Sequence, residues 1–321
     1  MKELSLNGSG WSGLRLALSL SLMKGEPVVI RDGVNVLTSD PAYMPLYDDI
    51  KRFLFRTNCG TIAESGEDVA FCPETIMPGR YNIETGNFSS ITELELFLLP
   101  ALFVRGSRSV INFTGVTHSQ VSYPTVFLKE TLFGLIEECG FYASMNMKRF
   151  GYYGSGGGSA ESRIYPAEKK ICSGLLEPRD VTLEGVRIFV ARMDMSLADR
   201  EKDYVLKNIN VPDSKVQVVE IRDADGFGNS IQAYMKYGPV NVILSRDMEI
   251  YNSAGDLVFD EARYYSALGS LREDIMLFAR TGRLPRNIVA EIIPYMMISN
   301  STVPAAFADT WSSGICRQLG I

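Results

Sequence analysis

The chain has 321 residues, 46% of them hydrophobic and 22% charged, a balance that excludes a disordered or fibrous chain and allows a large buried core. Its 32 basic and 38 acidic residues leave a net charge of −6, which argues against a broad nucleic-acid-coating surface but not against a local basic pocket. Five cysteines lie far apart with no CxxC pair, so neither a disulfide scaffold nor a zinc site is expected, and a reducing compartment fits.

Residues 4–9 read as a short strand entering a glycine turn. The apolar stretch 14–23 has helical spacing, with Leu14, Ala17, Leu18 and Leu22 on one side. It contains Arg15, Ser19 and Ser21, is too short to span a bilayer, and is followed by no evident cleavage site, so a soluble cytoplasmic protein is expected. Gly25 ends that helix and residues 27–30 begin a strand. A helix over 42–55 and strand-like stretches at 60–63 and 68–73 follow, and Pro78, Gly79 and Arg80 mark a turn.

The same order then recurs: a strand at 81–83, a strongly apolar helix over 89–103 capped by Ser89 and Ser90, a strand at 109–114, a helix over 125–139 and a strand at 142–150. What repeats is the order of elements, not the residues. The run GYYGSGGG at 151–158 follows. Its glycines permit positive φ and close approach, and it reads as a hinge before an inserted block. That block, over 176–260, carries a strand at 186–191, a serine-capped helix over 196–207, a strand at 215–221 and a hairpin around Gly238 and Pro239. Helices over 261–280 and 285–298 and a tail with a short strand complete the chain.

The expected fold is therefore α/β (α+β): three βαβαββ-like repeats, with a small α/β domain inserted in the third. The repeats cover about 1–80, 81–155, and 156–175 together with 261–321. Three such copies, the last interrupted, resemble the RNA 3′-terminal phosphate cyclases, whose body plan is shared with the enolpyruvyl transferases. LNGSGWSGLRLALSLSLMKGEPVVI is similar to that family's opening. ETGNFSSITELELFLLPAL resembles its second-copy helix, TGVTHSQVSYPTVFL its G-G-T segment, RFGYYGSGGG its R-x-G-Y/F-Y-P-x-G-G-G, and GNSIQAYMKYG its late G-N-G stretch. The resemblance implies ATP-dependent adenylylation of a histidine near the C-terminus and closure of a 2′,3′-cyclic phosphate at an RNA end.

The chain departs from that pattern. Its one histidine is His118, in the second copy, and Asp309 occupies the position where the resemblance places the family histidine. Gly8 and Ser12 stand where the family has glutamate and glutamine, with Trp11 among the glycines. Glu291 replaces the family's late aspartate, and Ile292 its glutamine partner. The resemblance thus implies a scaffold that lacks the adenylylated histidine, with ATP or another nucleotide as a cofactor by resemblance only.

The candidate residues have two readings each. Arg15 could meet a phosphate at a helix N-terminus or be a salt-bridged arginine; Trp11 could stack on a base or bridge two copies. Thr117 and His118 sit at a strand end, where His118 could act in acid–base chemistry or be a hydrogen-bonded loop histidine. Arg149 and Tyr152 flank Gly156, Gly157 and Gly158, which could cradle an anion or only let elements pack closely. Asp309 could be a nucleophile, though a turn residue is the plainer reading. Asp223, Asp225 and Asn229 faintly resemble a calcium loop but lack its distal glutamate, so no metal is expected. A binding role toward RNA ending in a 3′-phosphate, or toward a protein, is the leading expectation, with an oligomer allowed. A divergent enzyme using His118, Arg15 and Arg149 on a small phosphorylated substrate is the rival.

Overall fold

The computed structural model describes residues 1–248 and 259–321; residues 249–258, at the end of the expected inserted block, lie outside the described residues. The first unit runs β1 (Lys2–Ser5), α1 (Gly10–Lys24), β2 (Val28–Arg31), α2 (Gly33–Ser39), α3 (Tyr43–Thr57), β3 (Gly60–Ser65) and β4 (Asp68–Pro73). Its strands lie in the order β1-β2-β4-β3, with β1 and β2 parallel and β4 antiparallel to both neighbours. The second unit begins with β5 (Arg80–Glu84), α4 (Ile91–Phe103) and β6 (Ser109–Gly115). A helix built from α5 (Thr125–Phe127), a π turn (Leu128–Leu132) and α6 (Phe133–Glu137) leads to β7 (Ala143–Arg149) and β8 (Gly158–Ile164). The order β5-β6-β8-β7 reproduces the first unit's topology and strand senses. Two stretches without evident residue similarity thus reach one arrangement through the same alternation of apolar helices and half-buried strands.

A third sheet is built differently. β9 (Val181–Ala191), α7 (Ser196–Asn208), β10 (Val216–Ile221), β11 (Gly228–Tyr237) and β12 (Val240–Asp247) give the order β10-β9-β11-β12, with only β9 and β10 parallel. α8 (Glu261–Thr281) packs on β9 and β12. α9 (Arg286–Ile298), a 3-10 turn (Ala305–Phe307) and α10 (Trp311–Gln318) close the chain. The molecule is an α/β protein of repeated units.

The centre is helical. Every residue of α4 is buried, and so are α1's residues from Gly13 to Leu22, the signature of helices surrounded by protein. One helix from each expected copy meets there: Ser19 of α1 donates its hydroxyl to the Phe97 carbonyl of α4 at 2.6 Å, and Phe103 of α4 meets Tyr295 of α9 edge-on at 5.9 Å. Gly25 ends α1 in the left-handed conformation at φ 69°, and Ser90 caps α4 by accepting the Thr92 N–H, both as the sequence suggests.

Several expectations are corrected. The glycine run joins β7 to β8 within one sheet, so it is not a hinge. The tail holds the 3-10 turn and α10, and no strand among the described residues. The cap of α7 is the Asp194 carboxylate accepting the Ser196 N–H, not a serine side chain. Cys139 and Cys172 form a disulfide across 33 positions, against the reading of unpaired cysteines. Sequence spacing missed it because the pairing depends on the chain after β8 folding back: Glu168 and Lys170 donate their N–H groups to the Gly140 and Cys139 carbonyls.

Candidate functional site

The predicted site residues fall into two groups linked by one loop. The first is a charge cluster at the helical centre. Arg15 lies on the first turns of α1 but is only 2% exposed, because α4 and α9 close over it. Its Nε sits 3.0 Å from Glu93 Oε2 and its Nη2 2.6 Å from Glu291 Oε1. Burial works against the guanidinium's charge, but the two carboxylates outweigh it and hold the group firmly protonated. Trp11 is buried and donates its indole N–H to Glu93 Oε2 at 2.7 Å, with Tyr43 stacked on its ring. Burial pushes the Glu93 carboxyl up, with Arg15 pulling the other way. Arg15, Glu93 and Glu291 thus tie α1, α4 and α9 together. Ser12 sits half-buried one turn earlier on α1.

The second group surrounds His118. The chain turns inward after β6 because Gly115, the strand's last residue, adopts φ 156°, where a Cβ would strike Thr85 Oγ1. The Thr117 and His118 N–H groups then both donate to the Gly151 carbonyl, at 2.8 and 3.0 Å. Thr117 Oγ1 accepts the Gly151 N–H at 2.9 Å and lies 2.8 Å from His118 Nδ1. The His118 Nε2 is 3.3 Å from the Gln232 amide nitrogen on β11, and its ring stacks on Phe150 at 4.9 Å and tilts against Tyr152 at 5.4 Å. Desolvation pushes the imidazole down to about 3, so it stays neutral. Ser119 donates its N–H to Asp247 on β12 at 2.9 Å, and burial pushes that carboxyl up to about 7. The same loop leads into α5, whose first residue, Thr125, meets the Thr92 hydroxyl on α4 with its own at 3.3 Å and so links the two groups.

The glycines serve close packing at this junction. A Cβ on Gly151 would lie 2.3 Å from both the Gly115 carbonyl oxygen and the Gly158 nitrogen, and Gly156 would meet the Asn87 side chain at 2.7 Å. Across the junction a Cβ on Gly228 would enter the Tyr152 ring. Arg149 completes the join. Its Nη1 and Nη2 bind both oxygens of Asp225, at 2.9 and 2.7 Å, its Nε binds Asp223 at 2.9 Å, and Nη1 also donates to the Gly157 carbonyl at 3.0 Å. The two aspartates of the calcium-like stretch are therefore partners of Arg149. Asn229 instead donates to Glu201 in the third sheet's interior at 2.9 Å. No metal-holding group of three or more His, Cys, Asp or Glu occurs among the described residues. Asp309 is exposed on the turn before α10, which packs along α1.

The structure thus brings Arg15 and Glu291 together, and gathers Thr117, His118, Arg149, Tyr152 and Gly156, Gly157 and Gly158 at a separate junction; Asp309 stands apart on the surface. Sequence reasoning missed Glu93, Gln232 and Asp247 as partners. Glu93 had a signal, because it and Glu95 are two carboxylates in an otherwise apolar helix, where only paired or protonated groups survive. Glu95 is fully buried against the Ser162 hydroxyl, and burial pushes it up to about 8.

Two units of one βαβαββ topology, pinned at their helices and joined to a separate four-stranded block, define an α/β repeat protein with an added module. A family model described as RNA 3′-terminal phosphate cyclase matches residues 54–310. The chain belongs to the RNA 3′-terminal phosphate cyclase family. It is 27% identical over 247 residues to an RNA 3′-terminal phosphate cyclase of Koribacter versatilis, covering 75% of this chain and 67% of the relative. It is 28% identical over 227 residues to one from Ralstonia nicotianae, covering 68% and 63%, and 28% identical over 208 residues to one from Drosophila melanogaster, covering 61% and 56%. For the last two the chain spans less than two thirds of the relative's length. No helix among the described residues is long and apolar enough to cross a membrane.

Proposed function

We propose that this chain keeps the cyclase-family scaffold without adenylylating a histidine, and that it acts by binding an RNA end bearing a 3′-phosphate, in cytoplasmic RNA processing. The observation that carries this reading is the state of His118. It is the sequence's only histidine, and it is buried, neutral, stacked on Phe150 and in contact through both ring nitrogens. A nucleophile must reach a phosphorus atom, and this ring faces protein on every side the contacts define. The resemblance places the family's histidine at Asp309, an exposed carboxylate that cannot form the phosphoramidate a histidine forms. Arg15 and Glu291 neutralise one another within the helical centre, which favours a structural use of residues that the resemblance would turn toward a nucleotide.

Incubation with α-labelled ATP tests the first half. No protein–AMP adduct is expected after denaturing electrophoresis, and an adduct that disappears in His118→Ala or in Asp309→Ala overturns the reading. The second half is tested by comparing one RNA oligonucleotide with a 3′-phosphate or a 3′-hydroxyl at low salt. Tighter binding of the phosphorylated form is expected, and equal affinity removes end recognition from the proposal.

A further inference from the structure

The junction around His118 encloses a small cavity between the second unit and the third sheet, with Ser119, Tyr152, Tyr153, Phe227 and Asp247 among its lining residues. It leaves about 10 Å³ of free space, room for about one water-sized group. Two oxygens of the lining residues are sealed from solvent without a hydrogen-bond partner. One is Asp247 Oδ1 at the end of β12; the other is the hydroxyl of Tyr152, a residue only 4% exposed. The Asp247 charge acts on the Tyr152 hydroxyl, so the two groups are neighbours. Phe227, 39% exposed, carries the cavity's lining out to the surface.

What the cavity lacks is a positive charge. Asp247 Oδ2 accepts the Ser119 N–H at 2.9 Å, but no lysine or arginine pairs with the carboxylate among the described residues. The adjacent Arg246 is committed elsewhere, to Asp274 at 2.6 Å and Ser270 at 2.9 Å, and His118 stays neutral. A carboxylate buried without a counter-charge is costly, and burial accordingly pushes Asp247 up. A water between the two oxygens would supply hydrogens but leave the charge uncompensated. A divalent metal wants six or more oxygens, several of them from carboxylates, and no metal-holding group of three or more occurs among the described residues. A cation carrying its own N–H groups meets both demands. It donates to two unmatched oxygens, and its single charge is balanced by one carboxylate among aromatic rings.

We propose that this cavity holds the head of a primary alkylammonium ion, R–NH3+, between Asp247 Oδ1 and the Tyr152 hydroxyl, with its chain leaving past Phe227. Tyr152 belongs to the glycine run of the second unit and Asp247 to β12, so the bound ion bridges the two and clamps the third sheet onto the repeat. A free amine and the side chain of a lysine on a protein partner carry the same head group. The inference concerns a different ligand from the end-recognition reading and does not rest on it.

Isothermal titration of butylammonium chloride into the full chain tests it, with potassium chloride and tetramethylammonium chloride at equal ionic strength as comparisons. Saturable binding of butylammonium is expected. Potassium offers no N–H group, and tetramethylammonium has none either and exceeds the space, so neither should bind. Tyr152→Phe keeps the ring and removes the hydroxyl, and should weaken binding about tenfold. Asp247→Asn keeps an acceptor for the Ser119 N–H but removes the charge, and should abolish detectable binding. Melting temperatures without ligand are the control for folding, and if Asp247→Asn does not fold, Tyr152→Phe alone decides. No saturable butylammonium binding, equal binding of potassium, or unaltered affinity in a folded Tyr152→Phe overturns the proposal. The amide of Nα-acetyl-lysine separates the two sources: binding of both compounds supports a lysine side chain as the guest, and binding of butylammonium alone supports a free amine.

Discussion

Arg15 and Arg149 are each held by two carboxylates, and each stood out in the sequence as an anion-binding candidate. Their surroundings make them different devices. Arg15 is sealed between α1, α4 and α9, with Glu93 and Glu291 as its only charged partners at contact distance among the described residues. Arg149 lies a third exposed where β7 meets the loop before β11, gripping Asp223 and Asp225. The first joins expected copies of the repeat to one another; the second joins a repeat to the separate sheet. In the interior, a charge without its partner has no water to fall back on, whereas at the surface water and salt replace a lost partner.

That contrast can be broken most strongly at Arg15. Arg15→Ala leaves Glu93 and Glu291 facing each other in a dry centre, and a loss of about 3–5 kcal/mol is expected in urea denaturation. If the damage comes from stranded charge, replacing all three by apolar residues (Arg15→Met, Glu93→Leu, Glu291→Leu) recovers most of it. A triple variant as unstable as the single one would show that the ion cluster itself is needed.

A smaller effect is expected next to Arg149. Gly157 adopts φ 72°, and a Cβ there would lie 2.0 Å from Asp225 Oδ2, the oxygen that Arg149 Nη1 holds. Gly157→Ala should cost about 1–3 kcal/mol through backbone strain and displacement of Asp225. A change within error would mean the loop has room to yield. The smallest effect belongs to Arg149→Ala: a modest fall in melting temperature that shrinks as salt is added, since the pair is already exposed to solvent. A loss rivalling that of Arg15→Ala, or one indifferent to salt, would erase the distinction.

Much of the fold could be read from the residues because its signals are local. The apolar runs of α1 and α4, the Gly25 stop and the Ser90 cap each act within a few positions. The alternation of strands and helices revealed the repeat even without residue similarity. α2 was missed because a short seven-residue segment, with Gly33 at its start and Ser39 at its end, has too few apolar positions to show a period. The partners of the candidate residues were illegible for a different reason. Glu93 and Glu291 lie 78 and 276 positions from Arg15, and Asp225 lies 76 from Arg149, so no window along the chain contains both members. A helix start for Arg15 and the adjoining glycine run for Arg149 suggested an anion site in each case; only packing supplied the carboxylates that fill them.

The Cys139–Cys172 bond closes a covalent ring through the second unit, with β7, the glycine run and β8 inside it. A protease that cuts once within that ring cannot release a piece. The two fragments would travel together on a denaturing gel and part only after reduction, while a cut anywhere else separates at once. The ring also guards a particular neighbourhood: Tyr152, Tyr153 and Gly151–158's close backbone contacts with the His118 loop all lie on the enclosed stretch. A cut in the stretch that helps seat the third sheet against the repeat would therefore leave its pieces tethered.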